Sequence, residues 1–247
     1  MWRDSGGWWR NCGRPPVSVE RRVAGGRHED RLEIATEAGA KRVFAWAVDW
    51  PGWCRSGKTE PEAIDRLIGA GERYNVVIER AGLEPLTIDA HDPFVVESVA
   101  GGASTDFGVP SMVTGLDRRP TSPVEADRLV RLVEASWWAL DSAAAVAPES
   151  LRKGPRGGGR DRDKVVTHIL EAEHAYAQVM GIKVPAPDRA APETVAAMRR
   201  VIIEVVQQPS DGSPIAGRKW PPRYAARRIA WHALDHAWEI EDRTDPA

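Results

Sequence analysis

His232 and His236 stand four residues apart in Trp231-His232-Ala233-Leu234-Asp235-His236-Ala237-Trp238, a segment whose apolar spacing reads as helix. A four-residue step turns a helix only about 40° past a full turn, so both imidazoles leave one face. That face continues through Ala225, Ile229, Ala233 and Ile240, the stripe of a helix turned towards a core. His168 holds the same kind of position on a second predicted helix, in line with Val165, Ile169, Ala172 and Tyr176. A lone histidine on an apolar face is usually a hydrogen-bonded core residue. Three inward-facing imidazoles are costly to bury unless something uses their lone pairs, and a divalent cation is the commonest partner. The expected ligand set is therefore His168, His232 and His236 around one ion, with zinc or nickel first among the candidates. Ala233 stands where a zinc-protease helix carries its general-base glutamate, which disfavours peptide hydrolysis of that type.

Other charged side chains near these histidines have two readings each. Glu171 and Asp235 lie within a turn of a ligand and are candidates for fixing an imidazole tautomer, or else are solvated helix charges. His174 is displaced by about 120° around the helix from His168 and reads as a surface or packing residue. Arg223, Arg227 and Arg228 read first as a solvated basic face and second as contacts for an anionic substrate. Trp231, Leu234 and Trp238 form a second apolar stripe, suited to another helix, to the N-terminal half or to a second subunit. Gly157-Gly158-Gly159 lacks the lysine and threonine of a phosphate-binding loop.

Four helices are predicted to carry this chemistry. The first runs from near Pro123 to Val146, and the second from Asp161 or Asp163 to Gly181. The third spans about Glu193 to Gln207, and the fourth opens at Pro221-Pro222 and ends near Arg243. His168 lies roughly 9 Å into the second helix, and the His232–His236 midpoint roughly 13 Å from the end of the fourth. If those two helices are antiparallel, the three imidazoles meet at one height. The link between the second and third helices can reach roughly 40 Å, more than a helix length of about 27 Å, so an up-down-down-up order is permitted.

Ahead of the helices, Val43 to Val48 reads as a strand stopped by Trp50-Pro51-Gly52, and Trp53 to Ser56 as its return. Thr59 caps a helix that Gly82 closes, with Ile64, Leu67 and Ile68 on its apolar face. Leu86–Ile88 and Phe94–Val99 are further strand candidates, completing a small α+β unit. Residues 1–40 mix tryptophan, arginine and glycine without a sustained period and read as a disordered extension, with an α+β domain at 41–110 and a helical domain at 120–245.

A chain of 247 residues suffices for one large domain or two small ones. Its 34 basic and 36 acidic residues leave a net charge of −2, so nothing argues for nucleic acid as a partner. Cys12 and Cys54 form neither a ligand spacing nor a disulfide framework, which fits a reducing cytoplasm. No apolar run approaches the roughly 20 residues that span a bilayer, so a membrane partner is not expected, and no secretory signal is evident.

Two resemblances add to this reading. Trp50-Pro51-Gly52-Trp53 followed by Gly57-Lys58-Thr59-Glu60-Pro61-Glu62-Ala63 resembles the strand-turn-strand-helix core of HicB-type antitoxin domains, over about 25 residues. The resemblance implies a small α+β domain that recognises a protein partner. Val166 to Glu173 and Arg228 to His236 resemble the DinB superfamily of metal-binding four-helix bundles, over about 120 residues. That resemblance implies an up-down-down-up bundle, a divalent ion on His168, His232 and His236, and a kinship with bacterial thiol-dependent S-transferases and isomerases. The high alanine, arginine and glycine content hints at a GC-rich source, and in an actinobacterium the low-molecular-weight thiol would be mycothiol. The expectation is thus a metal-dependent thiol transferase or hydrolase acting on a small molecule, with a homodimer allowed. The alternative is a non-catalytic, metal-stabilised module whose HicB-like unit binds a protein.

Overall fold

The computed structural model describes residues 31–88, 92–153 and 159–244. Its first element is β1 (Arg31–Ala38), followed by β2 (Val43–Ala47) and β3 (Cys54–Gly57). After α1 (Glu60–Gly69) and α2 (Gly71–Arg80) the chain returns as β4 (Asp92–Ala100). The sheet order is β3-β2-β1-β4, with β4 parallel to β1 and the other pairs antiparallel. A parallel neighbour needs a long crossover, and α1 and α2 lie within it.

Both faces of this sheet are covered. Alternate strand residues point to opposite sides, so Leu32, Ile34, Val43, Ala45 and Ala47 join the main core while Ala35, Phe44, Trp46 and Cys54 join a second cluster around Trp231. That two-sided burial explains why residues 43–48 are apolar without alternation.

Three expectations need correction here. Residues 31–38 form an inner strand of the sheet, so part of the segment read as a disordered extension is ordered, and residues 1–30 lie outside the described residues. The strand is masked in sequence because Glu33 and Glu37 look solvated, yet Glu37 is fully buried. Its carboxylate accepts hydrogen bonds from Thr105 Oγ1 at 2.6 Å and from the Ser111 and Met112 amides at 3.1 and 2.9 Å. The single helix expected from Thr59 to Gly82 is broken at Ala70. There the Leu67 carbonyl accepts from the Trp53 indole at 2.7 Å, and Gly71 packs so closely on Ile88 that a Cβ would lie 2.7 Å from its side chain. Leu86–Ile88 is not a strand, because Asn75 occupies both the N–H and the C=O of Leu86, each at 2.9 Å.

The C-terminal part holds α3 (Ala103–Phe107), a short turn, and then four long helices: α4 (Pro123–Val146), α5 (Arg162–Val179), α6 (Pro192–Val206) and α7 (Pro222–Arg243). A reciprocal Ser122–Glu125 capping box starts α4. Each long helix touches the other three. Ion pairs and hydrogen bonds tie specific ends together: Arg223 to Glu125, the Arg152 amide to the Arg243 carbonyl, Arg162 to the Ala147 carbonyl, and Arg189 to Asp163. Beyond α6, Ser210 bridges to Thr121 just ahead of α4.

The second stripe of α7 docks on the N-terminal unit. Trp231 meets Phe44 edge-on with ring centres 6.1 Å apart, Leu234 lies against Gly52, and Trp238 stacks under Arg55 at 3.6 Å. The main hydrophobic cluster therefore runs without a break from the sheet and α1 into α4, α5, α6 and α7. Among the described residues, no helix is long and apolar enough to cross a membrane.

Candidate metal centre

α5 and α7 present the three histidines to one another. Potential ligand atoms of His168, His232 and His236 all lie within 4.8 Å of each other. Ring centres are separated by 5.1 Å (His168–His232), 5.3 Å (His168–His236) and 5.0 Å (His232–His236). An ion bound tetrahedrally at about 2.1 Å by each nitrogen would sit about 3.2 Å from each ring centre and so space the centres about 5.2 Å apart. The observed triangle matches that spacing on all three sides. Tyr176 lies against His232, with ring centres 5.8 Å apart, while His168 lies against both His232 and His236. Residue number rises along α5 as it falls along α7, so the two helices run antiparallel at the site.

The outer nitrogens of two rings have partners. His236 Nδ1 lies 2.7 Å from Glu239 Oε2, and the other oxygen of Glu239 accepts from Arg243 Nη1 at 2.7 Å. Arg243 is itself fixed by the Arg152 and Arg160 carbonyls at 2.6 and 2.7 Å. His232 Nδ1 lies 3.2 Å from the Tyr176 hydroxyl. With Nδ1 protonated and donating outward, Nε2 of both rings keeps a free lone pair, the arrangement usual for histidines that ligate metals. The hydrogen bond from His236, reinforced by Arg243, holds the Glu239 carboxyl below its ordinary range.

Burial and nearby positive charge favour the neutral form of two of the imidazoles. Burial first, then the charge His236, Arg228 and His168 can carry, pushes His232 down to about 2. Burial, Arg160 and His236 lower His168 as well. Neutral imidazole is the form that binds a cation, so folding prepays the deprotonation that metal binding requires.

The carboxylates singled out from sequence do not orient these rings. Glu171 is exposed, and among the described residues it makes no hydrogen bond to a histidine. Asp235 has 49 % of its side chain accessible and faces Arg55 at 3.8 Å. Asp235 at i+3 from His232 and Glu239 at i+3 from His236 have the same spacing, but Asp235 turns to Arg55 and Glu239 turns to its histidine. Spacing makes Glu239 a candidate, and the tertiary contacts select it and Tyr176. His174 packs away from the site, its Nε2 3.0 Å from the Val184 carbonyl.

The arginines on α7 are not a solvated face. Arg227 is buried and grips Asp117 with two bonds of 3.0 and 2.7 Å, and Arg223 pairs with Glu125 and with Asp49 at 3.5 Å. Arg228 stacks on Trp231 at 4.7 Å and on Tyr176 at 5.4 Å. The chain shows no significant match to any family model, curated protein or solved structure.

Proposed function

We propose that this chain is a metal-binding protein in which His168, His232 and His236 hold one divalent cation, zinc or nickel. The observation that carries the reading is the near-equilateral triangle of rings, 5.0 to 5.3 Å on a side. The outward bond of His236 to Glu239 supports it, because a carboxylate accepts and so sets the tautomer a ligand needs. The contact of His232 with the Tyr176 hydroxyl is compatible with the same tautomer. We read the helices as a DinB-like up-down-down-up bundle. In support, Arg223–Glu125 and Arg152–Arg243 link like ends of α4 and α7, while α5 runs against α7 at the histidines. Arg189–Asp163 pairs the start of α6 with the start of α5, and Thr121–Ser210 pairs the segment beyond α6 with the start of α4, which supports α6 running with α5 and against α4.

Three protein ligands leave a position for a water or a thiol, which a bound divalent cation would deprotonate near neutral pH. Our reading is thus a thiol-dependent transferase or hydrolase that takes a low-molecular-weight thiol at the open position. A HicB-like role in partner recognition would have to use surfaces other than the sheet face that Trp231 covers. The continuous core argues against a separately swinging recognition module.

Elemental analysis of the purified protein is the test. About one zinc or nickel per chain is expected, lost in His168→Ala and kept in His174→Ala. Absence of metal after incubation with excess zinc and nickel overturns the reading. A thiol-transfer screen with and without metal then separates a catalytic from a structural ion.

A further inference from the structure

Arg228, on the same helix as His232 and His236, carries a charge that no carboxylate among the described residues balances. Arg223 and Arg227, its neighbours on α7, both have carboxylate partners. Among the described residues no carboxylate pairs with Arg228, whose polar neighbours are the Tyr176 hydroxyl and, at a long 3.4 Å, the Pro110 carbonyl. Two aromatic rings hold the guanidinium instead: Trp231 at 4.7 Å and Tyr176 at 5.4 Å. Aromatic faces restrain a guanidinium while leaving its N–H edge free to donate, which suits planar anions.

Its place on the helix is equally specific. Arg228 precedes His232 by four residues, as His232 precedes His236, so the cation and two imidazoles share one stripe. Tyr176 touches both Arg228 and His232, with its hydroxyl 3.2 Å from His232 Nδ1. Arg160 also bears on His168 and His232 as a positive charge. Glu171 and Glu239 oppose these, but Glu239 is engaged by His236 and Arg243, and Glu171 is exposed. Histidine ligands bring no negative charge to a bound cation, so the centre as a whole favours an anionic ligand.

We propose that the site selects small ligands carrying two groups, a donor atom for the ion and a carboxylate a few bonds away that docks on Arg228. This rests on the metal reading above, and it names the class of ligand that the open position accepts. Arg228 is a specificity-determining residue on this view, with the Tyr176 hydroxyl as a second donor.

The test uses the cobalt-loaded full chain and two thiols that differ in charge, 3-mercaptopropionate and 2-mercaptoethanol, read by the sulfur-to-cobalt charge-transfer band. The wild type should bind 3-mercaptopropionate about tenfold or more tightly than 2-mercaptoethanol, the range of a charge-assisted hydrogen bond. Arg228→Gln should bring the ratio near one while taking up cobalt normally, and Arg228→Lys should keep part of the preference. Equal affinity of the wild type for both thiols, or no band with either, overturns the proposal and leaves the metal reading standing. Failure to take up cobalt sinks the metal reading itself. The wild-type comparison decides the matter even if Arg228→Gln does not fold.

Discussion

Glu239→Gln should weaken metal binding without removing a ligand. In the wild type each carboxylate oxygen has its own donor: His236 Nδ1 at 2.7 Å and Arg243 Nη1 at 2.7 Å. A carboxamide offers one acceptor oxygen and one NH2, so one of those donors must then face another donor. The negative charge beside His236 is lost at the same time. Loss of an outer partner of this kind typically weakens metal affinity 10- to 100-fold, or about 1.4 to 2.7 kcal/mol. Competition against a chromophoric chelator measures that change directly. Melting of the metal-free variant, recorded separately, removes the contribution of Arg243, which also ties the end of α7 to the Arg152 and Arg160 carbonyls. Asp235→Asn and Glu171→Gln are the controls and should stay within about twofold of wild type. If Glu239→Gln also stays within twofold, the outward hydrogen bond does not organise the site, and the argument from tautomers is wrong.

Acid should destabilise the metal-free fold. The folded-state pKa of His232 is depressed to about 2, so below its ordinary value of about 6.5 only the unfolded chain takes up that proton. Stability is then full above about pH 7 and falls as pH drops through 6.5, by up to about 1.4 kcal/mol per pH unit for this group, with His168 adding in the same direction. Urea midpoints that stay flat from pH 7.5 to 5 would count against this. A variant beginning at Lys41 lacks β1 and should fail to give a cooperative melt, whereas an unchanged melting temperature would refute the place of that strand. Ile34→Ala, at a fully buried site, should cost about 2–5 kcal/mol by denaturant titration. Arg227→Ala leaves Asp117 buried without its bidentate partner and should cost about 3–5 kcal/mol, and a loss below about 1 kcal/mol would show that water compensates.

The histidine site was legible because helical periodicity is local. The i,i+4 spacing alone puts His232 and His236 on one face, and Asp161, Gly181 and Pro221-Pro222 mark enough helix ends to give His168 a height. Glu239 obeyed the same rule at i+3 but stood among other charges at the end of α7, where sequence does not say which carboxylate turns inward. Asp235 has the same i+3 relation to His232, yet Arg55 of the N-terminal unit draws its carboxylate away.

What the sequence by itself determined is set by short-range geometry: the four long helices, the break at Pro51-Gly52, the Thr59 cap and the shared face of two histidines. The tertiary structure alone decided the fate of the polar groups. β1 reads as solvated until Glu37 finds the Thr105 hydroxyl and the Ser111 and Met112 amides, and Leu86–Ile88 reads as a strand until Asn75 takes its backbone bonds. Among the arginines, Arg227 is buried because Asp117 awaits it more than 100 positions away, while Arg228 beside it has two aromatic rings and no carboxylate. Whether a charge is solvated, paired or left available depends on partners distant in sequence, and no local pattern encodes them.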